Sequence, residues 1–230
     1  DAGLSGWGWQ DHGYGTGTLG APIVFSPTGM HTLRIQPRED GLRVDQIVIS
    51  PERYFGRSPG ALKNDQTILS REAMLPGGGQ GGSALEPAPA PPVVSNGDIV
   101  IHATDVGIMA GTYELLADAT AAGGFGLWNR NRSIAKVYVA EAQPASYAQF
   151  TFQAEAGRPY QLWIRGRAER NSYANDSIHV QFAGVEGAAI GTTASLVVNL
   201  EDASGAGLSN WGWQGAGYGV GVLAPPVVFA

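Results

Sequence analysis

The chain has 230 residues, of which 15% are charged, a formal net charge of −6 and no cysteine. The weak negative charge excludes a nucleic-acid-binding surface, which needs a basic patch, and the lack of cysteine excludes disulfides and thiolate metal sites. No apolar run reaches the roughly 18–20 residues of a membrane span, so no membrane insertion is expected. The 34 glycines are about twice the usual share, which is typical of a turn-rich β-protein. We expect a secreted or cell-surface protein, and the absence of a signal peptide before Asp1 is compatible with a leader removed upstream.

The first 26 residues recur at the end of the chain. Residues 205–230 match residues 1–26 at 16 of 26 positions without a gap, at an offset of 204 residues. Self-similarity at a fixed offset indicates a repeat array. Both copies contain the sequence Trp-Gly-Trp-Gln. If that motif holds neighbouring units together, the interface candidates are Trp7, Trp9, Tyr14, Trp211, Trp213 and Tyr218.

Alternation with a period of two predicts β-strands in the rest of the chain. Residues 31–36 and 42–49, with turn residues 38–41 between them, predict a β-hairpin. Such short strands are typical of a β-sandwich, and Trp163, which alternates with apolar neighbours, is expected in its core. The further predicted strands are residues 98–103, 111–116, 136–139, 148–153, 160–167, 177–183 and 196–200.

A segment of different composition separates two strand-rich parts. Ten of the seventeen residues 76–92 are Gly or Pro, which predicts a linker that is flexible first and extended later. Residues 1–70 are therefore interpreted as the C-terminal part of one β-sandwich repeat, with residues 61–69 folded back on it. Residues 71–96 form the Gly/Pro-rich linker, and residues 97–230 form the N-terminal part of the next repeat.

Neither part has enough strands to bury a core alone, so each needs the other. Three arrangements meet this need. The chain is a window of a longer tandem array, separate chains complete each other head to tail, or residues 1–69 fold back onto residues 97–230. In the third arrangement, two copies of the Trp-Gly-Trp-Gln segment compete for one place.

Residues 38–50 resemble the closing strands of galactose-binding-like jelly rolls, the fold of carbohydrate-binding module families 6 and 35 and of malectin. Residues 160–167 with 175–180 are similar to their central strand pair, and residues 99–105 to their opening strand. The resemblance implies an all-β jelly-roll sandwich, here cut out of phase, with a sugar cleft. Those modules often hold a structural calcium through opening Glu residues, whereas this chain has His102 and Thr104 there.

Sugar binding would use flat aromatic rings and neighbouring polar groups. Family resemblance favours the loop residues Tyr173 and Asn175, although Asn175 also fits an Asx-turn. Trp128 lies in a Gly-rich, polar stretch that predicts an exposed loop. Trp7 and Trp9 share one face of an extended chain, or are buried in packing instead. The candidates for carbohydrate are Trp7, Trp9, Gln10, Arg38, Trp128, Tyr173 and Asn175.

Metal binding and catalysis have little support in the sequence. Asp40, Asp45 and Asp105 are weak candidates for a hard cation, although Asp40 also fits a turn and Asp45 a local pairing with arginine. The four histidines lack metal-ligand spacing, and there is no Gly-x-Ser-x-Gly elbow. We therefore expect no enzyme and no cofactor, structural calcium aside.

Two functions remain open. One is a non-catalytic extracellular repeat unit of a fibre or surface protein, whose strands are completed head to tail by other copies of itself. The alternative is a tandem carbohydrate-binding module of a secreted polysaccharide-degrading enzyme or adhesin, with a polysaccharide or glycan as partner.

Overall fold

The computed structural model describes residues 6–12, 19–61, 64–71 and 97–200, without the side chains of Asn171 and Tyr173. The regular structure of these residues is almost entirely β. Its strands are β1 (Gly8–Gln10), β2 (Ile23–Val24), β3 (Gly29–Pro37), β4 (Leu42–Ser50), β5 (Ile99–His102), β6 (Ile108–Ala110), β7 (Tyr113–Ala117), β8 (Phe125–Asn129), β9 (Tyr147–Ala154), β10 (Pro159–Ala168), β11 (Ser177–Phe182) and β12 (Leu196–Asn199). The helical turns described are the 3-10 turns Ala103–Asp105, Ala122–Gly124, Glu169–Asn171 and Tyr173–Asn175. No helix in the described ranges is long and apolar enough to cross a membrane.

The strands form two antiparallel sheets, which confirms the predicted all-β sandwich. The larger sheet has seven strands in the order β1-β10-β4-β8-β7, with β2 also paired to β10 and β5 to β4. The smaller sheet has five strands in the order β12-β11-β3-β9-β6. Apolar side chains of both inner faces meet in one core, which includes Phe25, Leu33, Ile49, Phe150, Leu162 and Val180.

Both parts of the chain contribute central strands to this one sandwich. Strand β3 lies between β9 and β11, and β4 lies between β10 on one side and β5 and β8 on the other. Residues 6–61 therefore close onto residues 97–200 within a single chain, which is the fold-back arrangement. The linker prediction falls mainly on residues 72–96, which lie outside the described residues.

The predicted hairpin at residues 31–49 is wrong, although both of its strands exist. Strand β3 belongs to the five-stranded sheet and β4 to the seven-stranded sheet, so residues 38–41 are a crossover between sheets. The crossover is fixed from outside, because Glu39 N–H donates to the Ser177 carbonyl at 3.1 Å and Gly41 N–H to the Asn129 carbonyl at 2.6 Å. Gly41 has a φ of +94°, a left-handed conformation that favours glycine.

Two local predictions in residues 123–139 are also wrong. Residues 136–139, which the alternation predicts as a strand, have no strand structure. The predicted exposed loop around Trp128 is instead strand β8, and Trp128 is only 8% exposed. Its indole lies between the guanidinium groups of Arg43 and Arg130, whose carbons are 4.6 and 5.1 Å from the ring centroid. The Gly-rich stretch forms a strand because its backbone pairs with β4 and β7.

Residues from 51–61 and 64–70 cover part of the outer face of the seven-stranded sheet. Gln46 on β4 exchanges two hydrogen bonds with the backbone of Leu69, at 2.6 and 3.0 Å. The Trp163 indole N–H donates to the Tyr54 carbonyl at 2.6 Å. Trp163 is buried, but in a second cluster on this outer face with Trp9, Val48 and Tyr54. The sheet is thus buried on both faces at its centre.

Candidate functional site

The edge of β10 opposite β4 is covered by strands β1 and β2, and we call residues 6–25, which contain both, the closing segment. Within it, β1 pairs with residues 164–166 and β2 with residues 159–160. Strand β10 itself is almost entirely buried from Tyr160 to Arg165. An uncovered strand edge presents free N–H and C=O groups that pair with other chains. The closing segment therefore protects the most apolar edge described in the sandwich.

The first tryptophan of the segment is held by polar contacts on the outer face. The Trp7 indole N–H donates to Thr120 Oγ1 at 2.8 Å. Its ring faces the guanidinium groups of Arg165 and Arg167, whose carbons lie 5.5 and 5.8 Å from the ring centroid. A methyl group added at Gly126 would lie 2.8 Å from the Trp7 ring, so this glycine makes room for the indole.

The second tryptophan lies on the same face and is completely buried. Trp9 packs with Val48, Tyr54 and Trp163, and its indole N–H donates to the Thr67 carbonyl at 3.4 Å. Trp7 and Trp9 are 1% and 0% exposed, so a sugar ring has no access to either indole in this fold. Both side chains are buried by packing, which was the alternative interpretation of the motif.

The far end of the closing segment enters the main core. Phe25 is surrounded by the rings of Phe152, Tyr160 and Phe182, with centroids 5.2, 5.3 and 5.6 Å away. Its carbonyl accepts a hydrogen bond of 3.0 Å from Gly157 N–H. The segment is therefore anchored at both ends, by indoles on the outer face and by a phenyl ring in the core.

A buried carboxylate connects the two ends. Asp11 Oδ2 accepts hydrogen bonds from Gly20 N–H at 2.6 Å and from the Gln161 side-chain amide at 2.7 Å. The first bond joins two points of the closing segment, and the second joins the segment to β10. Asp11 and Gln161 are both buried, where leaving a polar group without its partner is costly.

A buried ionic group lies beneath the tryptophans. Arg165 forms a salt bridge with Asp45, and its Nε is 3.5 Å from Asp65 Oδ2. Asp45 Oδ2 also accepts a hydrogen bond of 2.7 Å from Ala122 N–H. Burial raises the pKa of Asp45 to about 7, because removing the carboxylate from water outweighs the opposing effect of the Arg165 charge.

His12 and Gly20 are fitted to each other. A methyl group added at Gly20 would overlap the imidazole of His12. The backbone of Gly20 lies outside the left-handed region, so the ring and not the backbone excludes a side chain there. Burial lowers the pKa of His12 to about 4, and the ring is therefore neutral at pH 7.

This fit gives a testable prediction. Gly20→Ala alone should lower the free energy of unfolding by about 1–3 kcal/mol, because the added methyl group overlaps the His12 ring. In the double variant His12→Ala/Gly20→Ala most of that loss should disappear. Urea unfolding of the parent, both single variants and the double variant gives the coupling energy of the two positions. Additive effects would show that the ring does not press on Gly20.

The polar carbohydrate candidates take part in internal contacts. The Asn175 side chain accepts from Asn131 Nδ2 and donates to the Glu169 carbonyl, each at 3.0 Å, and is 3% exposed. Arg38 donates to Ser177 Oγ at 2.9 Å, and Gln10 is buried beside β10. The side chain of Tyr173 lies outside what is described. The structure thus does not bring the described candidates together at an exposed cleft.

The three weak metal candidates lie apart and bind nitrogen donors. Asp40 accepts from the backbone N–H groups of Arg132 and Ile134, and Asp105 is paired with Arg71. In the described ranges, no cluster of three or more His, Asp or Glu side chains is placed to hold a metal ion.

Sequence reasoning identified the two tryptophans of the closing segment but missed the groups that receive them. Thr120, Gln161 and Asp65 contact the segment from positions far away in sequence, and Asp11, within the segment, receives the Gln161 amide. One sequence signal could have drawn attention to Asp11, because the corresponding residue of the second copy is Gly215. The interface candidates Tyr14, Trp211, Trp213 and Tyr218 lie outside the described residues.

The edge and outer face of β10 form a groove, in which residues 8–10 and 23–24 of the same chain pair through the main chain and the indoles of Trp7 and Trp9 are buried. This is the geometry of strand addition, in which the sheet supplies affinity and the pockets supply specificity. No protein-family model, curated protein or solved structure matches this chain.

Proposed function

We propose that this chain is a non-catalytic repeat unit of an extracellular fibre or surface protein, in which a closing segment of one unit completes the sheet of the next. One observation carries the proposal. The sandwich has one groove for a closing segment, and the chain contains two copies of that segment. The first copy fills the groove on β10 of its own sandwich, and the second copy, which keeps the same Trp-Gly-Trp-Gln sequence, is our candidate for filling the groove of an adjacent unit.

The titratable groups support a structural role. His102 Nε2 lies 3.0 Å from Gln46 Nε2 and 3.1 Å from the Leu69 carbonyl. His179 is held between Ser195 Oγ at 2.9 Å and the Val137 carbonyl at 2.8 Å. Burial lowers the pKa of both imidazoles. These contacts fix loops against strands, and we infer no reaction from them.

Carbohydrate binding by a tandem module is the less supported alternative. The three described tryptophans proposed for sugar stacking, Trp7, Trp9 and Trp128, are all buried. The composition of the chain and its resemblance to carbohydrate-binding jelly rolls are compatible with an extracellular location for either function.

The proposal is tested by supplying an open groove to a chain with a spare segment. The acceptor is the full chain with Trp7, Trp9, Trp211 and Trp213 all changed to serine, so neither of its own copies fills the indole pockets. The donor is the unmodified chain. Light scattering of the mixture should show a one-to-one complex of about 48 kDa, twice the 24.0 kDa of one chain.

A matched donor distinguishes strand completion from nonspecific association. The Trp211→Ser/Trp213→Ser donor has one intact segment, which its own sandwich uses, and it should form no complex. If the acceptor alone is unfolded, a synthetic peptide of residues 205–230 should restore its β circular dichroism. The proposal would be refuted by a folded acceptor that does not bind the unmodified chain. Equal binding of both donors would also refute it.

A further inference from the structure

The described chain ends beside the groove that holds the closing segment. Leu200, the last described residue, donates its N–H to the Asp176 carbonyl at 2.9 Å. A methyl group added at Gly166 of β10 would lie 3.4 Å from Leu200 Cδ2. Gly166 is the residue of β10 that pairs with Gly8 of β1. The chain therefore leaves the sandwich next to the place where the closing segment enters it.

The second copy is close enough in sequence to reach that place. Gly212 corresponds to Gly8, and only eleven residues, 201–211, separate it from Leu200. Eleven extended residues span up to roughly 36 Å, and Leu200 lies close to Gly166, the residue of β10 that pairs with Gly8. A short tether of this kind gives the second copy a high effective concentration at the groove of its own chain.

The second copy retains the side chains that fill the groove. Both indoles, the glycine between them and the following glutamine are unchanged. The core-facing end keeps its phenyl ring, and Ile23 is replaced by the similar Val227. The retained pairs are Trp7 with Trp211, Gly8 with Gly212, Trp9 with Trp213, Gln10 with Gln214, Leu19 with Leu223, Val24 with Val228 and Phe25 with Phe229.

The differences at positions 6, 12 and 20 also fit the same groove. Gly20, which His12 excludes from carrying a side chain, becomes Ala224, and His12 becomes Ala216 in the same copy. The two changes compensate each other. Gly6, which has a φ of +89°, becomes Asn210, and asparagine is among the residues that best tolerate positive φ.

One difference is not compensated. Asp11, which binds Gly20 N–H and the Gln161 amide, becomes Gly215. Gln161 belongs to β10 and faces whichever copy is bound. With the second copy in the groove, the buried Gln161 amide loses this carboxylate, which disfavours that state by roughly tenfold or more.

We propose that the groove on β10 is an exchange site that holds either residues 6–25 or the second copy at residues 210–229 of the same chain, and that Asp11 biases it toward the first. This inference rests on the proposed function, since it concerns the same groove. The competing occupant is the second copy, and Asp11 decides between the two copies. Exchange would release the N-terminal copy as the spare segment that an adjacent unit can bind.

Engineered disulfides can report which copy is bound, because the chain has no cysteine of its own. Val24 pairs with Pro159 across antiparallel strands, a separation that suits a disulfide. Val228 is the counterpart of Val24. The variant Val24→Cys/Pro159→Cys should trap the first copy, and Val228→Cys/Pro159→Cys should trap the second. Val227→Cys/Pro159→Cys is the control, since a slip of one residue turns the side chain to the other face.

After mild oxidation, non-reducing electrophoresis and peptide mapping measure each link. We expect the Val24 link to be nearly complete and the Val228 link to form in a minor fraction, both within monomers, while the Val227 control stays unlinked. Adding Asp11→Gly should raise the Val228 link roughly tenfold. Gly215→Asp, which gives the second copy its own carboxylate, should raise it as well.

The outcomes separate this inference from the proposed function. A Val228 link that forms only between two chains, or none at all, would refute exchange within the chain. The donor and acceptor experiment would still stand in that case. A monomeric Val228 link that neither Asp11→Gly nor Gly215→Asp changes would refute the role of Asp11. Linking of the Val227 control to the same extent would refute a defined register and thus the exchange itself.

Discussion

Replacing Asp45 by alanine is expected to lower the free energy of unfolding by about 3–5 kcal/mol. The side chains of Asp45 and Arg165 are 0% and 2% exposed, and the alanine would leave the guanidinium charge buried without this carboxylate. The nearby Asp65 is a poorer partner, because its Oδ2 lies 3.5 Å from Arg165 Nε. Urea unfolding monitored by tryptophan fluorescence measures the loss.

The matched control is a carboxylate in an exposed pair. Glu114 lies 3.4 Å from Arg130, and the two side chains are 45% and 55% exposed. Glu114→Ala should change stability by less than about 1 kcal/mol, because water screens such pairs. If Asp45→Ala cost no more than Glu114→Ala, the Arg165 charge would have found water or another partner, and the buried ionic group would not be essential.

Replacing Trp9 by alanine should destabilise the protein by an amount that depends on the second copy of the closing segment. In a chain that ends at residue 204, the fully buried Trp9 should cost about 3–5 kcal/mol, the usual loss for a large core aromatic. In the full chain, the proposed exchange lets residues 210–229 replace the damaged segment. The loss should then be limited to the difference in binding between the two copies, about 1–3 kcal/mol.

Trp213→Ala provides the comparison within the same motif. It should have little effect by itself, because the parent groove holds Trp9. Combined with Trp9→Ala in the full chain, it should restore the larger loss seen in the shortened chain. Denaturant titrations of these variants measure each change in the free energy of unfolding. Equal costs of Trp9→Ala in the full and the shortened chain would contradict exchange at the groove.

Most strands could be predicted from the sequence because their alternation is local. Strands β9, β10, β11 and β12 lie within a residue or two of their predicted bounds. The pairing of strands could not be predicted in the same way. Strands β3 and β4 look like a hairpin because they are adjacent in the chain. Strand β3 instead pairs with β9 and β11, and β4 pairs with β10, β5 and β8, all distant in sequence.

Solvent exposure was the least predictable property. Trp128 has polar and glycine neighbours in sequence, which favoured an exposed loop. In the fold it becomes buried between Arg43 and Arg130, because strands β4 and β7 pair with β8. Asn175 likewise has the sequence context of a binding residue, while its side chain bonds to Asn131 and Glu169. Such contacts are made by residues that are distant along the chain.

Residue order alone establishes the all-β character, the lack of cysteine chemistry and the duplicated segment at the two ends, because composition, alternation and self-similarity are properties of the linear chain. The tertiary structure decided where that segment binds, which face of β10 receives Trp7 and Trp9, and that Asp11 contacts Gln161. These facts depend on contacts across as many as 150 positions, which only the closed sandwich brings together.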